Sequence, residues 1–371
     1  MARAYSCLVS ADSHVVEPPD MWSTVLGTRF GERTPRVLDS YRGRRGPFFF
    51  DGTMVVNAHN IIGAMEESDG VDARVGHVPE ARVAFQQAAG ITAEVINATF
   101  MSHVMFAAND PANRPMVRAA AQVFNDWFAE YASHDRNRLV ANAEVPTDDV
   151  DFAAAEFERV RNKGLRGVII NAAPPEGCPP YRDRGYDRLW AAAQALDLPV
   201  TLHIVTGRVP DAIHLHTPEE IAKAPGYWCE IFNEVQAILA NDFIFGGILD
   251  RFPGLKLVCA EYEINWIPNF VWRLEQLQGA FGKFVGLPPT KLKPGEYMQT
   301  RIWHGLVDDP FGAEAIRRVG ASQIMWGSDF PHPRAIGIDA QARLAKAFAD
   351  LPRADQEKIV GSTAAGVYGI A

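Results

Sequence analysis

Cysteine is scarce: Cys7, Cys178, Cys229 and Cys259 are the only four in 371 residues, and no two form a CxxC pair. Neither a disulfide scaffold nor a structural zinc site is expected. No apolar run approaches the ~18 residues of a membrane-crossing helix. The opening Met-Ala-Arg-Ala-Tyr-Ser-Cys lacks the longer apolar stretch of a secretory leader. Positive charge is also in deficit. With 36 Lys and Arg against 45 Asp and Glu the net charge is −9, and without a basic stripe no nucleic-acid partner is expected. The glycines never build a strand–GxGxxG–helix fingerprint, so nothing supports a dinucleotide cofactor. These absences predict a cytoplasmic protein that binds neither membrane nor nucleic acid.

Apolar residues make up 47% of the chain, enough for a large core. From about residue 92 strand-like and helix-like segments alternate. Strands are expected at 94–99, 139–143, 167–171, 200–203, 255–261, 301–304 and 323–329. Helices are expected at 112–133, 150–162, 186–196, 227–239, 266–277, 311–319 and 339–351, with Gly164 capping the second. Adding the run Tyr5 to Ser10 makes eight strands. Eight βα units predict an α/β fold, a (β/α)8 barrel, as one domain over 1–371. The main interruption is 15–91, where Phe48 to Val56 reads as a hairpin turning at Asp51-Gly52. It is expected to be an insertion capping the catalytic mouth. A shorter insertion, 287–295, is expected to wrap the outside.

Chemistry-bearing residues recur where these strands end. Asp12 and His14 follow the first strand, and two apart in extended chain they share a face. His203 ends the fifth, Glu261 the sixth and Asp329 the eighth. In such a barrel the C-terminal strand ends face one pocket. Carboxylate and neutral imidazole suit zinc, manganese or iron(II), and an open coordination position would make the site catalytic. Taken singly, each has a plainer explanation, an Asp as a helix cap or a His as a structural group; together they predict a divalent metal. Asp12-Ser13-His14 is not a catalytic triad, because neighbours on one strand cannot adopt the required mutual geometry.

The segments Ser10 to Trp22, Leu198 to His203, Phe252 to Lys256 and Trp326 to His332, with Phe124-Asn125-Asp126-Trp127, resemble the amidohydrolase-related family. This branch of the amidohydrolase superfamily includes the aminocarboxymuconate-semialdehyde and resorcylate decarboxylases. The resemblance covers nearly the whole chain and implies metal binding by Asp12, His14, His203 and Asp329. Relatives carry His-x-His or Glu-x-His at the first motif, so Asp12 is a variation that still supplies a ligand. In the decarboxylases a histidine stands where this chain has Glu261. A glutamate can act as a base, and burial can raise its pKa enough for it to serve as an acid.

Alternatively Glu261 binds a second ion with Glu17, His214 and His216, as in amidohydrolase-fold oxygenases with di-iron or iron–manganese centres. Plainer roles for the last three are a contact ahead of Pro18-Pro19 and a solvated loop. His332 is expected at the mouth as a catalytic or supporting group, with His103, His304 and His59 lining the substrate cavity, and His77 and His134 at the surface. The expected activity is metal-dependent decarboxylation or hydrolysis of a small, carboxylated organic molecule. The alternatives are a dinuclear monooxygenase and a catalytically silent partner subunit. A homodimer, or assembly with a related subunit, is the expected state.

Overall fold

The computed structural model describes residues 3–58, 73–204, 206, 223, 226–332 and 335–371. Strand β1 (Val9–Ser10) is followed by a small sheet, β2 (Arg36–Tyr41), β3 (Arg44–Phe50) and β4 (Val55–Asn57). Then come β5 (Ala93–Ile96), β6 (Leu139–Glu144), β7 (Gly167–Ile170), β8 (Val200–His203), β9 (Leu257–Ala260), β10 (Ile302–Leu306) and β11 (Ile324–Trp326). Sheet order is β1-β5-β6-β7-β8-β9-β10-β11, and every paired neighbour is parallel. The amide of Ala11 donates to the Trp326 carbonyl (2.7 Å) and that of Asp329 to the Asp12 carbonyl (3.0 Å), which brings the two end strands together. This is the eight-stranded barrel that the βα alternation predicts.

The barrel strands are buried almost throughout, which is why they read as largely apolar runs in the sequence. Helices such as Arg114–Ser133, Val150–Lys163 and Asp187–Ala195 cover the outside. Gly164 closes the second of them at φ 93°, a left-handed position where a side chain would be strained. Val9, Ala93, Val140 and Val258, at or near the starts of their strands, form an apolar plug with Ala364, Val367 and Tyr368 of the C-terminal helix. That end of the barrel is filled, leaving the strands' C-terminal ends for chemistry.

Four local expectations change. Only Val9–Ser10 of the first run pairs as a strand. β10 continues past His304 to Leu306. The stretch 227–239 divides into Tyr227–Ile231 and Glu234–Ile238, with Asn233 between them outside helical hydrogen bonding. β2 was not foreseen: its burial is only partial, and its reversal at Arg42-Gly43 (φ 49° and 77°) carries no Asn-Gly or Asp-Gly signature. The foreseen turn places β3 antiparallel to β4, with the Asp51 carboxylate accepting the Thr53 and Met54 amides, each at 2.7 Å. The small sheet and the helix Met21–Phe30 lie against helices of the barrel: Phe49 of the sheet stacks on Phe100 at 4.5 Å, and the Trp22 indole of that helix donates to the Ala120 carbonyl.

Candidate metal centre

Five of the named side chains reach one spot at the C-terminal strand ends. His14 Nε2 lies 3.5 Å from Asp12 Oδ1 and 3.5 Å from Asp329 Oδ1. His203 Nε2 lies 3.4 Å from Asp12 Oδ1 and 3.6 Å from Glu261 Oε2. Atoms of Asp12, His14, His203 and Glu261 lie within 4.8 Å of one another, as do atoms of His14, Glu261, Asp329 and His332. Edges of about 3.4 Å are those of a tetrahedron of donors with bonds of about 2.1 Å.

The orientation of each donor supports the same chemistry. His14 Nδ1 sits 2.8 Å from the Ala98 carbonyl, and His203 Nδ1 2.9 Å from the Ile204 carbonyl. A carbonyl accepts only, so in each ring Nδ1 carries the proton and Nε2 presents a lone pair. Those two Nε2 atoms, Asp12 Oδ2 and Asp329 Oδ1 are buried with no hydrogen-bond partner. Four converging side chains that each carry a buried, unpartnered donor atom are costly without a cation, so the residues fit a divalent ion. Asp329 and Glu261 stand on left-handed backbone (φ 54° and 62°), strain of the kind found at working sites.

Electrostatics divide the group. Burial, with His332 and His203 nearby, pushes the His14 pKa well down. Burial opposes charge on His203 too, but Asp12 and Glu261 outweigh it and raise that pKa to about 10. Burial and the Asp329 charge raise Glu261 well above the usual carboxylate range, against a smaller opposing effect of His203. The Glu261 side chain is nonetheless 18% exposed, against 2% to 6% for Asp12, His14 and His203. It faces the open side. His332 stacks on His14 at 4.0 Å, with Nδ1 2.8 Å from Asp329 Oδ1 but misaligned for a hydrogen bond.

Other expectations are corrected. Glu17 turns both carboxylate oxygens to the Phe100 and Met101 amides at 2.8–3.0 Å, starting the helix Phe100–Val104, and is outside the converging group. His214, His216 and His59 lie outside the described residues. With Glu17 committed to main-chain amides, the second set expected from Glu17, His214 and His216 is not assembled among the described residues. His304 is no cavity wall: its Nε2 donates to the Met298 carbonyl (3.0 Å) and its ring meets Trp266, so it faces the outer helices. His103, on the helix Phe100–Val104, is close enough to His332 for that ring to depress its pKa, which burial already lowers to about 4. His77 and His134 are exposed.

Several contributors were not singled out from sequence. Asn97 donates to Asp12 Oδ1 (2.7 Å) and accepts from Asn142 (2.8 Å). Ser10 Oγ donates to the Asp12 carbonyl and accepts the Ser328 amide. Glu144, buried at the end of β6, accepts from Ser102, and burial raises its pKa to about 8. Their signal was a polar residue at the end of, or inside, an otherwise apolar strand.

The amidohydrolase family model matches residues 12–370, and this chain belongs to that family. The gamma-resorcylate decarboxylase of Polaromonas sp. strain JS666 is 25% identical over 266 residues, covering 70% of this chain and 78% of that one. An amidohydrolase structure from Mycobacterium avium subsp. paratuberculosis K-10 superposes with TM-score 0.73 at 21% identity, covering 98% of both chains. A dihydroxybenzoic acid decarboxylase from Polaromonas sp. JS666, with bound manganese and the inhibitor 2-nitroresorcinol, superposes with TM-score 0.66 at 19% identity over 99% of this chain and 98% of that one. Both structures share the barrel fold. No described helix is long and apolar enough to cross a membrane.

Proposed function

We propose that this chain is a metal-dependent, non-oxidative decarboxylase of a small aromatic carboxylic acid, with Asp12, His14, His203 and Asp329 holding one divalent ion. The observation that carries the reading is the convergence of four buried side chains, each with a donor atom that lacks a hydrogen-bond partner, with both imidazoles oriented by main-chain carbonyls. The resorcylate and dihydroxybenzoic acid decarboxylases among its relatives support the substrate class, and bound manganese in one of them supports manganese ahead of zinc or iron. When bound, the ion supplies positive charge that anchors substrate oxygens and stabilises negative charge developing on the ring.

The protein supplies the proton and the positioning. Glu261, at the open side, faces the space above the donors, and its burial beside the Asp329 charge favours the protonated form that can act as the acid. As the ring–carboxylate bond breaks, carbon dioxide leaves and the electron pair stays on the ring carbon, which takes the Glu261 proton; water at the mouth restores it. His332 lies beside Asp329; His103 and His332 flank the ring, and the described residues of 15–91 cap the mouth.

Metal analysis of protein purified without chelators tests the reading, together with carbon dioxide release from hydroxybenzoates. About one equivalent of manganese or zinc, with release independent of oxygen, is expected. About two equivalents including iron, with oxygen consumed, overturns it. We extend the reading to a homodimer, supported by the exposed apolar group Trp272, Phe281, Phe284 and Val285; a monomeric mass by light scattering sinks that extension.

A further inference from the structure

Arg82 lies on the helix Pro79–Ala89, the last element of the 15–91 stretch, and its side chain is fully buried. Its guanidinium grips Glu94 of β5 twice, Nε to Oε2 at 2.6 Å and Nη2 to Oε1 at 3.1 Å. The remaining arm, Nη1, donates to the main-chain carbonyl of His14 at 2.9 Å. The guanidinium carbon also sits 5.0 Å from the ring centroid of Phe330, the residue after Asp329. From the same helix Phe85 stacks on Phe330 at 4.2 Å. The Phe330 carbonyl in turn accepts the His14 amide at 2.7 Å.

These contacts meet at the seam where β1 and β11 come together, which supplies Asp12, His14 and Asp329. The His14 backbone is held at its amide by Phe330 and at its carbonyl by Arg82. A buried ion pair that only fastened a helix to the barrel needs no third arm on a candidate ligand. Such a pair is weak evidence for stability, since a neutral substitute often serves as well. The planar fork, with five donors at fixed angles, serves a carboxylate and a carbonyl at once, which a lysine ammonium cannot do in the same geometry.

We infer that Arg82 is a positioning residue for the metal centre, setting the His14 imidazole and the Asp329 segment through the His14 carbonyl and the Phe330 ring. The inference rests on the metal-binding reading above. It makes the insertion's last helix part of the apparatus that shapes the site: movement of that helix is transmitted to one donor directly and to another through its neighbour. Groups that orient metal ligands in this way typically change affinity 10- to 100-fold when removed.

The test is Mn2+ titration of the full chain, with the visible spectrum of the Co2+-substituted protein as a report of donor geometry. Arg82→Lys is expected to bind Mn2+ about 10- to 100-fold more weakly and to shift the Co2+ bands. Should that variant not fold, the double variant Arg82→Met/Glu94→Gln leaves no uncompensated buried charge and is expected to show the same loss. Gln86→Met removes a contact to Glu94 (2.9 Å) without touching His14, so it should lower Tm and leave Mn2+ affinity within about twofold. A folded Arg82 variant with wild-type affinity and an unchanged Co2+ spectrum overturns the inference and makes the ion pair purely structural. A wild-type chain that takes up neither Mn2+, Zn2+ nor Fe2+ overturns the metal reading itself.

Discussion

Glu261 differs from Asp12, His14 and His203 in backbone and exposure. It follows β9 directly at φ 62°, so its side chain turns up from the strand end instead of continuing the strand's alternation. Its Oε2 is 3.6 Å from His203 Nε2, close enough to complete the donor set, yet it is more open to the mouth than those three. Glu261→Gln separates proton transfer from ligation, because it keeps the shape and removes the acid. If Glu261 carries the proton, turnover falls by about 10²- to 10⁴-fold with the metal load intact. Loss of metal along with activity would make it a ligand, and full retention of both would return it to a structural role. Small residues matter here too: a Cβ at Gly327 would come within 2.5 Å of the Asp12 Cβ, so only glycine lets the chain leaving β11 approach Asp12 this closely.

Among the elements, the small β2–β3–β4 sheet and the helix Met21–Phe30 form most of the described insertion. They lie against Phe100 and the helix Arg114–Ser133 rather than standing apart. Thr53 and Met54 at the β3–β4 turn share a cavity of about 650 Å³ with Phe106 and the segment Pro174 to Cys178, on loops that leave the C-terminal ends of β5 and β7. Replacing residues 48–56 with a short glycine–serine link should therefore reduce kcat/KM for aromatic acids about tenfold or more while metal content stays constant. Unchanged kcat/KM for every acid tested would mean that the insertion does not cap the site. The barrel strands were legible because burial on both faces makes them largely apolar. β2 escaped because partial burial and arginine-rich flanks leave no alternation to read.

At the scale of the whole molecule, the histidines buried between layers bear on stability. His304 is buried between β10 and the helices beyond it, with Nε2–H given to Met298 and the Trp266 ring beside it, and burial lowers its pKa to about 4. The unfolded chain takes up a proton near pH 6.5 that the fold refuses until near 4. Stability therefore falls as pH drops through that window and levels off below it, by on the order of 3 kcal/mol from this residue. Urea unfolding at pH 5 and pH 7 checks this. The wild type should lose more stability on acidification than His304→Gln, which keeps a donor for Met298, and equal losses would show that His304 is not held neutral.

The amino-acid sequence by itself was enough to determine the barrel class, since eight apolar runs at βα spacing leave few other architectures. It also determined where the candidate metal-binding side chains could stand, because in such a barrel the strand ends share one pocket. Tertiary structure decided the rest through contacts between distant parts of the chain. Glu17 became a helix cap only because Phe100 and Met101, 83 and 84 residues on, present bare amides to it. His304 turned from the pocket because β10 runs two residues further than its apolar pattern suggested, leaving the ring beside the outer helices. The Asn97 contact to Asp12 spans 85 residues, the Ser10 contact to Ser328 spans 318, and the Arg82 contact to the His14 carbonyl spans 68. No local periodicity encodes such pairings; they exist only once the barrel closes and brings the first and last strands together.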